Sequence, residues 1–194
     1  MGSERLIHPR YLLRRKFFKV FGAALHIFDP NGQVALYAHM KAFKLREDIR
    51  LYTGEDMQTE VLTIKARQVL DISATYDVVD AQTHEKVGAL KRKGLKSMLR
   101  DEWLILDATD QQIGTITEDS TALALIRRLL TNLIPQSFSV EVHGRQVATF
   151  RQHFNPIIFK MDVDFTADTG GLLDRRLGLA AAVLLATIEG RQGS

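Results

Sequence analysis

From Ile157 to Phe165, hydrophobic and polar residues alternate: Phe159, Met161, Val163 and Phe165 share one side of an extended strand, and Lys160, Asp162 and Asp164 share the other. Successive side chains of a strand point to opposite faces, so this stretch predicts one face in a core and one in water. A looser pattern occurs four times. Each copy runs strand, Asp or Gly turn, an apolar residue, a small one, then a large apolar one two positions on. The copies are IFDPNGQVALY (Ile27 to Tyr37), VVDAQTHEKVGAL (Val78 to Leu90), ILDATDQQIGTI (Ile105 to Ile116) and VEVHGRQVATF (Val140 to Phe150). All four predict β-hairpins: Asp29-Pro30-Asn31-Gly32 sets Pro and Gly where a type I turn takes them, and His143-Gly144 or Gly144-Arg145 suits a tight turn with positive φ. Their irregular spacing points to hairpins of one sheet rather than a solenoid or propeller. Ala35, Gly88, Gly114 and Ala148 fall on the same face as Tyr37, Leu90, Ile116 and Phe150. If that face looks inward, the small residues let strand backbones approach something bulky inside.

Two segments break the strand pattern. Ser120 to Ile134 carries Ala122, Leu123, Ile126, Leu129, Leu130 and Leu133 at helical spacing, with Arg127 and Arg128 outward and Pro135 ending it, and so predicts one amphipathic surface helix. The second, Leu177 to Ile188 (LGLAAAVLLATI), is apolar all round. Such a helix must be enclosed by protein or by lipid. At about 1.5 Å per residue a dozen residues reach roughly 18 Å, well short of the roughly 30 Å of a bilayer's hydrocarbon core. Enclosure by the chain's own strands is the expectation, and the small residues of the hairpins make room for it.

Composition narrows the class. The chain has 194 residues, 45% of them hydrophobic, with no Pro/Ser/Gly-rich tract or charge block to mark a linker, so one domain over residues 1–194 with a real core is expected. A charged fraction of 25% argues against disorder. The net charge of +3 and pI near 9.2 are too mild for a dedicated nucleic-acid binder. The absence of Cys excludes disulfides, thiol nucleophiles and thiolate zinc sites. With no sustained apolar run between Met1 and Phe21, no signal peptide is expected. A soluble, cytoplasmic protein follows, peripheral to any membrane it meets.

The segment IKARQVLDISATYDVVD (Ile64 to Asp80), with FKLREDIRLYTGED (Phe43 to Asp56) before it and RDEWLILD (Arg100 to Asp107) after it, resembles the LURP-one-related family. That family is grouped with phospholipid scramblases and Tubby C-terminal domains. The resemblance runs from about Leu12 to Ile188 and is most specific in the middle third. It implies a mainly β fold: a closed β-barrel of about twelve strands around a central hydrophobic C-terminal helix. About activity it implies little. Tubby-like domains bind phosphoinositides, scramblases are linked to calcium-dependent lipid movement, and many LURP-one-related proteins have no assigned role. No residue matches a Tubby headgroup site.

The scramblase likeness draws attention to Asp162, Asp164 and Asp168, acidic residues just before the last helix. Calcium takes several oxygen ligands from a sharply turning loop, yet an EF-hand register begun at Asp162 puts Ala167 where Gly belongs and Leu173 where the bidentate Glu belongs. The plainer expectation is that Asp162 and Asp164 form the wet face of a strand and Asp168 helps start the helix. The densest positive clusters are Lys91-Arg92-Lys93, continued by Lys96 and Arg100, and Arg14-Arg15-Lys16. These eight residues are the candidates for an anionic lipid headgroup, at about 1 kcal/mol per cation near a membrane; solvated hairpin edges would look the same. The six His are scattered without HExxH spacing, and there is neither a nucleophile elbow nor a P-loop. Trp103 is expected in the core.

These readings converge on a non-enzymatic binding module, monomeric and free of cofactor, that meets an anionic membrane surface or phosphoinositide-like headgroup on the outside of its barrel. Two alternatives stand beside it. One is scramblase-like lipid transport through a lipid-facing terminal helix; the other is a protein-interaction scaffold without lipid contact.

Overall fold

A computed structural model of the chain describes residues 3–18, 22–40, 48–67, 74–93, 102–119, 135–155 and 158–188. After a short 3-10 turn (Ser3–Leu6) come β1 (Arg10–Phe18), β2 (Gly22–Phe28), β3 (Val34–Met40), β4 (Asp48–Tyr52), β5 (Glu60–Ala66) and β6 (Thr75–Asp80). β7 (Lys86–Arg92), β8 (Glu102–Leu106), β9 (Gln112–Glu118), β10 (Ser137–Val142), β11 (Arg145–Gln152) and β12 (Phe159–Asp164) follow, and the helix α1 spans Arg175–Ile188. Neighbours in sequence are neighbours in the sheet, and β1 closes the ring between β12 and β2. The result is the expected closed antiparallel barrel, with all twelve strands among the described residues. Closure leaves no sheet edge to pair with another chain. The amphipathic helix expected at 120–134 lies outside the described residues.

In such a meander the strand connections alternate between the two ends. One end carries tight turns whose chemistry is local. Asp29 Oδ1 accepts from the backbone N–H of Asn31 (2.9 Å) and Gln33 (2.8 Å), and Asp107 Oδ1 from those of Thr109 (2.8 Å) and Gln111 (2.9 Å). Asp80 Oδ1 does the same for Gln82 (2.9 Å) and Thr83 (3.1 Å). The carboxylate thus stands in for a backbone acceptor while the chain reverses. His143 and Gly144, at φ 50° and 74°, make the β10–β11 reversal with two left-handed residues, as a type I′ hairpin requires. Register shifts occur at Ile27/Phe28, Leu51/Tyr52, Val78/Val79, Ile105/Leu106 and Val140/Glu141. An extra residue in one strand bends and twists it locally, and all five bulges lie near the turn-bearing rim.

α1 enters from that rim. Asp174 caps it, its Oδ1 accepting from the Arg176 N–H at 2.9 Å. Asp168 fixes the link before it, accepting from the N–H groups of Leu172 (2.8 Å) and Leu173 (3.2 Å). Every residue from Leu177 to Ile188 is buried, so the helix lies inside the strands along its whole apolar length. Burial on all sides is what an all-round apolar helix requires. No helix among the described residues is long and apolar enough to cross a membrane. The lipid-facing placement of this helix is thereby corrected: its neighbours are the barrel's own strands, β7, β12, β1 and β5.

The small residues do their work in different ways. A Cβ on Gly88 would lie 2.5 Å from the Leu106 carbonyl oxygen of β8 and 2.9 Å from Leu177 Cδ2, so that glycine admits the neighbouring strand and the helix together. On Gly114 it would strike the Glu141 carbonyl oxygen, so that glycine admits the neighbouring strand instead. The first hairpin departs further. The shift at Ile27/Phe28 leaves Leu36 and Ala38 opposite Ile27 and Leu25, facing the core, and turns Tyr37 outward beside His26. Trp103 is buried as expected, with its ring 6.0 Å from that of Tyr76.

Candidate functional site

With α1 filling the barrel, the side chains available to a partner are those on the wall and at the ends. On β1, Tyr11, Leu13 and Arg15 are buried inward, and the alternate phase puts Leu12 and Arg14 outside. Antiparallel register then sets Arg14 opposite Lys160 of β12 on one side and His26 of β2 on the other. The row continues outward-facing through Tyr37 to Tyr52. Two cations and an imidazole therefore adjoin one another across three strands, with aromatic rings flanking the imidazole.

The His26 ring stacks on Phe28 (5.8 Å, 14° between planes), meets the Tyr37 ring edge-on at 5.0 Å, and its Nε2 lies 2.7 Å from Glu55 Oε1. Burial, reinforced by the Glu55 charge, raises the Tyr37 hydroxyl above its ordinary pKa of 10.0. Arg14 and Lys160 make no ion pair among the described residues, and the Nε–H of Arg14 is buried without an acceptor. Like charges directly opposite each other destabilise a strand pair, and an unmet buried donor adds its desolvation cost. This corner of the wall carries an electrostatic cost that an anion would offset. Beside it, Asp162 and Asp164 are already engaged: Asp162 Oδ2 lies 2.7 Å from His153 Nε2, and Asp164 Oδ2 accepts from Arg10 Nε at 2.9 Å.

The candidates read from the sequence scatter. Arg15 leaves the basic cluster altogether: at 1% exposure it lies inside the barrel, donating through Nη1 to the Ala186 carbonyl in the last turn of α1, with its guanidinium 4.9 Å from the Phe159 ring centre. A cation at a helix C-terminus satisfies an orphan carbonyl and complements the helix dipole. Lys91 and Lys93 are exposed, with Lys93 Nζ paired to Glu102, whereas Arg92 is half-buried in the inward phase opposite Trp103. β7 is six strands from β1 in either direction round the ring of twelve, so the two basic clusters occupy opposite walls and form no common face. The Lys16 side chain and all of Lys96 and Arg100 lie outside the described residues. Lys160 and His26 were not candidates, because Lys160 reaches Arg14 only when the last strand pairs with the first, and His26 only through the register of β1 with β2.

The acidic candidates have structural partners. Asp164 Oδ1 accepts from both the Thr166 N–H (2.8 Å) and hydroxyl (2.6 Å), and Asp168 holds the link into α1. Among the described residues no three His, Asp or Glu side chains gather as a metal site. At the turn-bearing end a polar cleft of about 360 Å³ is lined by Glu4, Arg5, His8, Asp29 and Gln33. Arg5 Nη1 is spent on the Val34 (3.1 Å) and Thr53 (2.8 Å) carbonyls, tying the N-terminal turn to the barrel.

A closed antiparallel barrel threaded by its own C-terminal helix is the architecture that the resemblance to Tubby C-terminal domains implies. Residues 34–186 match the family model described as LURP-one-related, and the chain belongs to that family. No curated protein matches it.

Proposed function

We propose that this chain is a non-enzymatic binding module that recognises anionic membrane lipid by its headgroup, on the outer wall of the barrel. The observation that carries the reading is the Arg14–Lys160 pair: adjacent cations without a carboxylate partner among the described residues, one of them holding an unmet donor. A phosphate oxygen between them would relieve the repulsion and accept charge-assisted hydrogen bonds from the Lys160 ammonium and the outer edge of the Arg14 guanidinium. Recognition is external because the helix occupies the interior, where a lipocalin-like barrel would take an acyl chain.

Sedimentation with vesicles tests it. Phosphatidylcholine vesicles containing phosphatidylserine carry the protein down at low salt, and those of phosphatidylcholine alone do not. Raising the salt releases the protein, since screening shortens the reach of surface charge to a few ångströms at about 1 M. Absence of sedimentation with anionic vesicles at low salt overturns the reading.

A further inference from the structure

We infer that the barrel docks on an anionic bilayer through the helix-C-terminal end of its β11–β12–β1 wall, with Phe154 entering the boundary between headgroups and acyl chains while Arg14 and Lys160 hold lipid phosphates. The inference rests on the lipid reading above and specifies its orientation.

Phe154 is 63% exposed, and large exposed apolar residues are few among the described ones: Ile7, Met57, Phe154 and Leu172. Ile7 precedes β1, Met57 lies in the β4–β5 turn and Leu172 in the link to α1, so those three belong to the turn-bearing end. That end also carries Asp29, Asp80, Asp107 and Asp110 in its turns and Asp174 at the helix cap. Several of these carboxylates are already paired there, Asp110 with Lys86 and Arg67, and Asp80 and Asp174 with Arg176. Phe154 stands at the other end, on the connection between β11 and β12, which leads into the strand that carries Lys160.

Hydrogen bonds hold the described parts of this connection. The His153 N–H donates to the Lys160 carbonyl at 2.9 Å, and the Ile158 N–H donates to Asn155 Oδ1 at 2.9 Å. These hold the chain on either side of Phe154 beside the start of β12, the strand on which Lys160 lies opposite Arg14. A ring that partitions into the membrane interface, next to cations that reach phosphates, is the combination by which peripheral proteins bind reversibly. Charge complementarity selects the anionic bilayer as the occupant of this face, and the exposed ring separates it from a site for free phosphate.

Flotation of the full chain with phosphatidylcholine–phosphatidylserine vesicles decides the matter. Arg14→Gln combined with Lys160→Gln is expected to weaken partitioning roughly tenfold or more, and Phe154→Ala about fivefold. Lys91→Gln combined with Lys93→Gln, on the opposite wall, leaves partitioning unchanged. Phe154→Trp supplies a direct signal, a blue shift of its emission on vesicle addition against a constant background from the buried Trp103. Thermal midpoints near that of the natural chain confirm that the variants fold. If the natural chain floats but the Arg14/Lys160 variant floats equally well and the Lys91/Lys93 variant does not, the docking face is wrong and the lipid reading survives. If Phe154→Trp shows no shift on bound vesicles, insertion is refuted. If the natural chain does not float, the lipid reading falls, and the orientation falls with it.

Discussion

Gly178 sits where Phe165 needs the space. A Cβ there would lie 2.6 and 2.9 Å from two ring carbons of Phe165 and 3.2 Å from Leu173 Cδ2. The ring cannot step aside: it is buried and held by Tyr11 (6.3 Å), Phe150 (6.1 Å) and the Arg175 guanidinium (4.2 Å). Alanine would gain about 1 kcal/mol of helix propensity over glycine, against an overpacking cost of about 1–3 kcal/mol. Gly178→Ala is therefore expected to lower the thermal midpoint by several degrees. Gly170→Ala, whose Cβ would meet nothing nearer than 3.8 Å, should not. A raised midpoint in the first variant would show that the ring has room. At this scale the sequence was legible wherever strand alternation was followed strictly. Tyr11 and Leu13 face the core, so period two alone puts Arg15 inward and splits a run of three cations that looks like one solvated cluster. The rule failed at Tyr37, where a bulge shifts the phase and no local residue pattern marks the bulge.

The helix and the hairpins differ in how they are stabilised. α1 owes its place to burial, since a 14-residue helix is marginal alone and gains its stability from the surface it covers. Leu184 is 1% exposed near its middle. Leu184→Asp should bury an unpaired carboxylate at a cost of several kcal/mol, comparable with the stability of a whole domain, so that cooperative unfolding and the buried-Trp103 fluorescence are lost. An unchanged melting curve would place Leu184 outside the core. The hairpin turns are instead specified locally, by Asp29, Asp80 and Asp107, and were readable as turns for that reason. The helix was readable from its uniform apolarity and its length. The five rim bulges were not, because a bulge is a property of two paired strands rather than of either sequence alone.

Over the whole molecule, carboxylates held by hydrogen bonds and cations give stability a pH dependence of definite sign. Asp107 is held below its ordinary 3.8 by the Thr109 hydroxyl and the Gln111 N–H, and Asp110 by Lys86 and Arg67. Burial pushes Asp80 and Asp164 up, but hydrogen bonds outweigh it, from Arg176 in the first case and Thr166 in the second, and both end lower. A carboxylate with a depressed folded pKa stabilises fully above its unfolded pKa, and that contribution drains as pH falls through the folded value. The thermal midpoint should be level above about pH 5 and decline below about pH 4. Asp80→Asn should make the decline shallower. A midpoint that rises on acidification would mean that the rim carboxylates repel one another more than they bind. The candidate wall belongs to this scale as well. Lys160 was visible as the wet side of a strand and Arg14 as a cation, but their adjacency exists only because the last strand pairs with the first, a closure no local pattern encodes.

The central claim is that the helix stays enclosed while recognition happens outside. Hydrogen exchange of the α1 amides, measured on the free chain and on the chain bound to anionic vesicles, tests it most directly. Protection of Leu179 to Ala186 at the level of global unfolding in both states, with vesicle-induced slowing confined to the β11–β12–β1 wall, is the expected result. Fast exchange along α1 once vesicles are bound would show the helix leaving its barrel, and would contradict the account.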